Sequence, residues 1–187
     1  MTAAPRYPVR TRVLHWLTAA LVFALLIIGF TMASRVGSYA TLLAVHMTLG
    51  VTVLVVVVVR AANRFTHRAP ELPGTVGPVE RVLVLGSELS LYTLLVLQPL
   101  VGWAMVSAAG RPVVVFGRWR LPGIVPFDAD VYSVLRQAHS VLAYLLVLVI
   151  AAHVSAVLLH TLTLRDGMLS RMTGGAPAEG RQAFSRR

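Results

Sequence analysis

Apolar residues dominate four stretches of this chain of 187 residues, and polar connections separate the stretches. The stretches span residues 13–33, 41–62, 82–108 and 131–164. Each is close to or above the roughly 20 residues that a helix needs to cross a bilayer. Because every backbone polar group in hydrocarbon must be paired within the protein, we expect helix even where valines are frequent. The pattern predicts an all-α, integral membrane four-helix bundle that forms one domain over residues 1–187, with a polar tail at 168–187.

The composition supports a membrane protein and excludes several kinds of site. Hydrophobic residues make up 57% of the chain and charged residues 13%. The chain has no cysteine, which excludes disulfides, thiolate metal clusters and haem attached through a Cys-x-x-Cys-His motif. The first stretch follows basic residues as the core of a signal peptide would, but its length favours a retained helix. We therefore expect four membrane spans.

Positive charge is concentrated where the apolar stretches end. All 17 basic residues are arginines, and the formal net charge is +10. This placement favours lipid headgroups and small anions as partners, and it argues against nucleic acid. One side of the predicted membrane carries twelve arginines (6, 10, 12, 60, 64, 68, 81, 165, 171, 181, 186 and 187) and the other side five (35, 111, 118, 120 and 136). Because arginines are enriched in cytoplasmic segments, both termini are predicted to be cytoplasmic.

Two histidines lie inside the fourth apolar stretch. His139 and His153 are separated by SVLAYLLVLVIAA, which contains no charged residue. At about 100° per residue, their spacing falls within roughly 40° of four full turns, so both rings leave the same helix face. At about 1.5 Å per residue, the rings stand about 21 Å apart along the helix axis. Because hydrocarbon offers a ring nitrogen no partner, histidines in such positions indicate a function.

The first two stretches each add one histidine at a matching depth. With both termini in the cytoplasm, His15 lies at the cytoplasmic end of the first helix and His46 at the outer end of the second. The fourth helix places His139 at the outer side and His153 toward the cytoplasm. The depths therefore predict an outer pair, His46 with His139, and an inner pair, His15 with His153. Two facing imidazoles suit the axial ligation of a haem iron, while packing histidines and a zinc site are the alternatives.

Several longer motifs resemble those of the prokaryotic cytochrome b561 family. In chain order the motifs are RVLHWLTA, HMTLG, HRAPELP, LYTLLVLQPLVGWAMVSAAGRPVVVFG and RDGMLSRM. Together with the two histidines of the fourth stretch, they cover nearly the whole chain. The resemblance implies a multi-pass cytochrome of the bacterial inner membrane with two non-covalent haem b groups. The implied axial ligands are His15, His46, His139 and His153, and the implied electron exchange is with membrane quinone.

The motifs leave the partner at the outer face open. The resemblance favours a superoxide:ubiquinone oxidoreductase, in which superoxide delivers electrons at the outer side and ubiquinone receives them at the inner side. Arg111, Arg118 and Arg120 lie in the connection 110–130 and are candidates for steering a small anion. One alternative is a cytochrome b subunit that relays electrons from a periplasmic dehydrogenase to quinone. Another is a channel or transporter that uses the histidines for protons or metal.

Other residues support weaker hypotheses. His160 follows His153 close to the same helix face, and it could hold or protonate a quinone or lie exposed at the membrane interface. His67 is expected to be structural. Glu88 is expected to cap a helix or to pair with an arginine.

Small residues and arginines could also contact a haem. Gly29, Gly50 and Gly102 could make room for the edge of a porphyrin, or could serve ordinary helix packing. Candidate partners for the haem propionates are Arg12, Arg35, Arg111 and Arg136, because guanidinium pairs well with carboxylate. Contact with lipid headgroups is the alternative for each of these arginines.

Overall fold

The computed structural model describes residues 6–34, 36–66, 76–165 and 167–173. Four long helices make up most of these residues: α1 (Val9–Ser34), α2 (Tyr39–Thr66), α3 (Pro78–Ala108) and α4 (Ala129–Leu158). The shorter elements are a 3-10 turn before α2 (Val36–Ser38), a π-helical segment after α4 (Leu159–Leu164) and a final helix α5 (Ser170–Thr173). A two-stranded hairpin, β1 (Val113–Val115) and β2 (Trp119–Leu121), lies between α3 and α4.

The four long helices are long and apolar enough to cross a membrane. Large apolar side chains cover the outside of the bundle; Ile27, Leu89 and Leu148 are each about two-thirds exposed. An apolar surface of this extent would favour association in water, whereas in a bilayer it faces lipid chains. The four-helix membrane bundle predicted from the sequence is confirmed.

The helices begin before the apolar stretches that predicted them. α1 starts at Val9 rather than at residue 13, and α3 starts at Pro78 rather than at residue 82. Proline suits the first helical position because its missing amide proton has no helical acceptor there. In α3, Glu80 Oε2 accepts a hydrogen bond from the Gly77 amide at 3.3 Å. Polar and proline residues therefore extend the helices beyond the runs that hydrophobicity alone detects.

The connection between α3 and α4 contains a hairpin that the hydrophobic pattern did not predict. Val115 pairs with Trp119 across the two antiparallel strands. The turn places Phe116 and Gly117 at φ values of 53° and 69°, the left-handed conformation that closes tight hairpins. The Phe116 amide donates a hydrogen bond to Thr48 Oγ1 of α2 at 3.2 Å. The hairpin is therefore attached to one end of the bundle, which we call the hairpin end.

The first and last residues that the structure describes lie at the opposite end of the bundle, which we call the terminal end. The Tyr7 amide donates a hydrogen bond to the Arg171 carbonyl at 3.3 Å. Trp16 Nε1 donates to the Met172 carbonyl at 3.2 Å. These bonds connect the start of α1 to α5. Most of the tail predicted at 168–187 lies outside the described residues.

The helices pack in chain order, α1 on α2, α2 on α3, and α3 on α4. One cluster of buried apolar side chains forms a band at mid-height, composed of Val22, Val53, Val57, Leu95 and Leu146. Leu146 lies midway along α4 between His139 and His153. This apolar band therefore separates the histidines near the hairpin end from those near the terminal end.

Candidate functional site

His46 of α2 and His139 of α4 face each other at the hairpin end. Their ring centroids are 6.3 Å apart, and the ring planes are inclined by 75°. A metal that binds one nitrogen of each ring at about 2 Å requires a centroid separation of roughly this size. The structure thus brings together the two histidines that the sequence assigned to the outer pair.

Glycines lie directly behind both rings. A Cβ atom added to Gly102 of α3 would lie 3.0 Å from Cε1 of His139, and one added to Gly29 of α1 would lie 3.4 Å from Cε1 of His46. The first distance is shorter than a normal carbon–carbon contact. Because Gly102 and Gly29 have no side chain, the backbones of α3 and α1 can lie close against the two rings. Gly50 has open space around it and makes no such contact.

The ring nitrogens of this pair are incompletely satisfied by the protein. Among the described residues, the buried Nδ1 atoms of His46 and His139 have no hydrogen-bond partner. Gln98 holds the backbone at His139, because its Nε2 donates to the His139 carbonyl at 3.0 Å. Buried polar atoms are nearly always paired, so nitrogens of this kind indicate a missing partner. The donor set of two neutral imidazoles fits a haem iron, which needs only two protein ligands.

His15 of α1 and His153 of α4 form the second pair, at the terminal end. Each is close enough for electrostatic interaction with Arg60 of α2, and His15 also interacts with His153. Arg60 Nη2 lies 3.0 Å from His15 Nδ1. The guanidinium also lies over the ring of Tyr92, 5.2 Å from its centroid. The inner pair predicted from the sequence therefore has a cation beside it.

His160 is buried rather than exposed. It lies in the π-helical segment with 3% of its surface accessible, which makes the exposed-interface alternative wrong. Its Nε2 lies 2.9 Å from Oε1 of Glu80, at the start of α3. Glu80 therefore contributes one oxygen to the cap of α3 and the other to His160. This imidazole–carboxylate pair lies beyond His153 toward the terminal end.

The three candidate steering arginines differ in their surroundings. Arg111 lines a cavity of about 210 Å³ at the hairpin end, together with Met47, Met105 and Tyr132 among others. Arg118 lies over the ring of Trp119, 4.7 Å from its centroid. Arg120 is exposed on β2. Met47 directly follows His46 in the sequence, and of the three arginines Arg111 is the one that lines this cavity, so it is the best placed to meet an anion that enters it.

The other sequence-based candidates have mixed outcomes. Glu88 pairs with an arginine, its Oε1 lying 2.9 Å from Nε of Arg64. Among the propionate candidates, Arg12 is partly buried and its Nε has no hydrogen-bond partner among the described residues, while Arg136 is exposed. Arg35 and His67 lie outside the described residues.

Sequence reasoning missed Arg60, Tyr92, Gln98 and Glu80 as site residues. Arg60 could have been found, because it ends the run VVVVV inside an apolar stretch, where an unpaired cation is costly. The contacts of Gln98, Tyr92 and Glu80 depend on which helices pack together, and spacing along one helix does not show this.

A family model described as prokaryotic cytochrome b561 matches residues 6–175. The chain is similar to cytochrome b561 homolog 2 of Escherichia coli (strain K12), with 27% identity over 93% of this chain and 94% of that protein. It is also similar to the probable superoxide oxidase CybB of Yersinia pestis, with 27% identity over 68% of this chain and 72% of that protein. Because that family model covers most of the chain and four helices are long and apolar enough to span a membrane, the chain belongs to the prokaryotic cytochrome b561 family, multi-pass haem b cytochromes of the bacterial inner membrane that transfer electrons.

Proposed function

We propose that the protein is a superoxide:ubiquinone oxidoreductase that holds two haem b groups, one at each end of the bundle. His46 and His139 would hold the haem at the hairpin end, and His15 and His153 would hold the haem at the terminal end. The observation that carries the proposal is the facing arrangement of His46 and His139, at 6.3 Å between ring centroids. The similarity to a probable superoxide oxidase supports the choice of substrate.

The hairpin end faces the periplasm in this proposal, and both termini are cytoplasmic. Its support is the arginine asymmetry, because the segments at the terminal end carry most of the arginines of the chain. A donor formed outside the cytoplasm would then meet the His46–His139 pair first. Arg111 would attract an anionic donor into the cavity that it lines.

The overall reaction balances with two superoxide anions for each quinone. Each superoxide loses one electron and leaves as O₂, and the two electrons with two protons convert ubiquinone to ubiquinol. The haem iron supplies the capacity for one-electron transfer at each level. The protein holds the groups at opposite ends of the bundle, and the apolar band lies between them.

The terminal end offers a proton-carrying pair for the quinone. His160 Nε2 and Glu80 Oε1 are 2.9 Å apart, and Glu80 is partly exposed while His160 is buried. Glu80 can take a proton from solvent and pass it to the buried imidazole of His160. We assign to His160 the protonation of the quinone, and to Glu80 both the orientation of His160 and its reprotonation from solvent.

Haem content tests the number of sites. Purified protein should contain two haem b per chain in a pyridine haemochrome assay, all of it extractable into acidified acetone because the chain has no cysteine. Well-folded protein with one haem or none would overturn the two-site proposal.

Mixing with superoxide tests the substrate. When oxidised protein is mixed with superoxide, the absorption spectrum should show reduction of the haem. Added ubiquinone should then reoxidise the haem. Protein that is reduced by quinol but not by superoxide would instead support a cytochrome b subunit that takes electrons from a periplasmic dehydrogenase. A protein that lacks any reduced-minus-oxidised haem spectrum would favour a channel or transporter.

A further inference from the structure

Arg60 is a cation held inside the bundle beside the terminal-end histidines. Its Nη2 lies 3.0 Å from His15 Nδ1, and it interacts electrostatically with both His15 and His153. The face of Tyr92 lies under the guanidinium at 5.2 Å. A cation over an aromatic face is attracted by the negative potential of the ring. Tyr92 therefore holds the charge near the histidine pair.

This charge is not neutralised by a carboxylate within the described part of the chain. The next arginine along α2, Arg64, is paired with Glu88 at 2.9 Å. Arg60 has instead the neutral ring of Tyr92 and the imidazole of His15 as neighbours. It is therefore a net positive charge at this level of the bundle.

The hydrogen bond between Arg60 and His15 cannot persist when His15 binds iron, so the influence of Arg60 on a ligated His15 must be electrostatic. A guanidinium only donates hydrogen bonds, so in the observed contact His15 Nδ1 accepts. An imidazole that binds iron through one nitrogen carries a proton on the other, and Arg60 cannot accept that proton. The contact with Tyr92 does not depend on the protonation of His15, so it can keep the guanidinium nearby.

We propose that Arg60 raises the reduction potential of the haem held by His15 and His153. The inference rests on the proposed two-haem assignment. Oxidised haem carries one more positive charge than reduced haem, so a nearby cation disfavours the oxidised form. The effect is large where the local dielectric constant is low, and local charge is one of the factors that set haem potentials.

The hairpin-end pair has no matching cation in contact with its rings among the described residues. Gly29 and Gly102 lie against the rings of His46 and His139, and the neutral amide of Gln98 bonds to the His139 backbone carbonyl. Arg60 therefore acts on one haem more than on the other. Raising the terminal-end potential favours electron flow from the hairpin end to the terminal end, the direction that the proposed reaction requires.

Redox titration of the two-haem protein tests this inference. At a fixed solution potential, Arg60→Gln should lower the ratio of reduced to oxidised terminal-end haem at least tenfold, which equals 59 mV for a one-electron couple. The haem at the hairpin end should keep its potential. The terminal-end component is identified as the one that His153→Ala removes. Arg60→Lys keeps the charge and should keep most of the potential.

Arg81→Gln is the matched control, because it removes the same charge from an exposed position on α3 at the same end of the bundle. Its terminal-end potential should stay that of the parent. A protein that binds two haems but shows no selective shift in Arg60→Gln overturns the role of Arg60 and leaves the two-site proposal standing. A shift in Arg60→Lys as large as that in Arg60→Gln overturns the electrostatic explanation.

A second variant decides the matter if Arg60→Gln fails to retain haem. Glu88→Gln removes the carboxylate that neutralises Arg64, one helical turn from Arg60, and leaves Arg60 in place. The terminal-end potential should then rise, opposite to the change expected for Arg60→Gln. A Glu88→Gln protein with two haems and an unchanged potential would overturn the inference. Haem contents measured on the same samples report on the two-site proposal separately.

Discussion

The two ends of the bundle place the same side chain in opposite surroundings. At the hairpin end, His46 and His139 face each other with glycines close behind them and neutral groups around them. At the terminal end, His15 and His153 share the neighbourhood of Arg60. One pair is thus defined by close packing, and the other by charge.

If both pairs bind haem as proposed, the difference shows how one ligand type can serve two electron-transfer sites. Imidazole would supply the ligand in each case, and the surrounding residues would decide how rigidly it is held and how the site is charged. A site defined by packing should be sensitive to added volume, while a site defined by charge should be sensitive to the loss of charge. This contrast can be tested at each end.

The largest expected effect is complete loss of one haem on removal of a ligand. His46→Ala and His139→Ala should each abolish the same spectral component and halve the haem content. His15→Ala and His153→Ala should each abolish the other component, because the pairs lie on opposite sides of the apolar band. Low-temperature difference spectra and pyridine haemochrome assays measure both quantities.

Two outcomes would break the comparison between the ends. Loss of the same component in the His15 and His46 variants would mean that the pairing is wrong. Loss of a haem in His160→Ala would mean that the ligand in α4 was misassigned, because His160 is proposed here only to protonate quinone.

A smaller effect should follow from adding volume behind the hairpin-end pair. Gly102→Ala places a Cβ 3.0 Å from Cε1 of His139. Overpacking of this kind typically lowers the free energy of unfolding by about 1–3 kcal/mol. Gly29→Ala should cost less, since its contact is 3.4 Å. Thermal unfolding followed through loss of the hairpin-end haem spectrum measures the effect.

Gly86→Ala provides the control on the same helix. No heavy atom lies within 4 Å of its added Cβ, so the terminal-end and hairpin-end haems should both be retained as in the parent. Equal losses in the Gly86 and Gly102 variants would show that helix substitution, rather than contact with His139, is responsible.

The arginines of the hairpin end should affect rate and leave haem binding intact. Replacing Arg111, Arg118 and Arg120 together by glutamine should slow reduction by superoxide roughly 10-fold at low salt, because electrostatic steering is lost. The salt dependence should flatten, since the Debye length falls from about 30 Å at 0.01 M to about 8 Å at 0.15 M. Stopped-flow absorbance measures the rate.

The single variant Arg111→Gln sharpens this test. All three arginines are exposed, but Arg111 also lines the cavity that Met47 helps to form, whereas Arg118 lies over Trp119. Arg111→Gln should therefore reproduce most of the loss seen in the triple variant. A triple variant as fast as the parent at low salt would show that these arginines serve membrane topology alone.

The smallest expected effect concerns attachment of the hairpin. Thr48→Val removes the hydroxyl that accepts a hydrogen bond from the Phe116 amide. The attachment of the hairpin to α2 should weaken by about 1 kcal/mol. Amide hydrogen exchange at Phe116 should accelerate, while exchange at the terminal end stays unchanged. Thr52→Val is the control, because among the described residues Thr52 Oγ1 bonds only to the Thr48 carbonyl of its own helix. Equal exchange in both variants would contradict the anchoring role of Thr48.

The sequence predicted those features of the molecule that the lipid environment requires. Hydrocarbon requires long apolar helices, so the four spans could be found from composition and length. The facing of His46 and His139 followed from spacing along α4 and from matching depths, and the bundle and inner-membrane location are confirmed. The identity of the haem ligands stays a prediction.

The remaining features depend on contacts between distant segments. The pairing of Glu80 with His160 requires the start of α3 to lie beside the end of α4, and the stacking of Arg60 on Tyr92 requires α2 to pack on α3. The hairpin is short, and its turn relies on Phe116 in a left-handed conformation that this residue type seldom adopts. No periodicity in a single stretch indicates these features.

The apolar band at mid-height has a consequence for bioenergetics. Its five side chains, Val22, Val53, Val57, Leu95 and Leu146, are all aliphatic, and none can relay a proton through a hydrogen bond. Electrons can tunnel across such a layer, whereas protons and ions need polar groups along their path. In the proposed arrangement, with one haem on each side of the band, the band would therefore block proton leakage while electrons pass between the haems. Each electron that crosses it moves through part of the membrane potential, whose full span corresponds to about 2.3 kcal/mol per 100 mV.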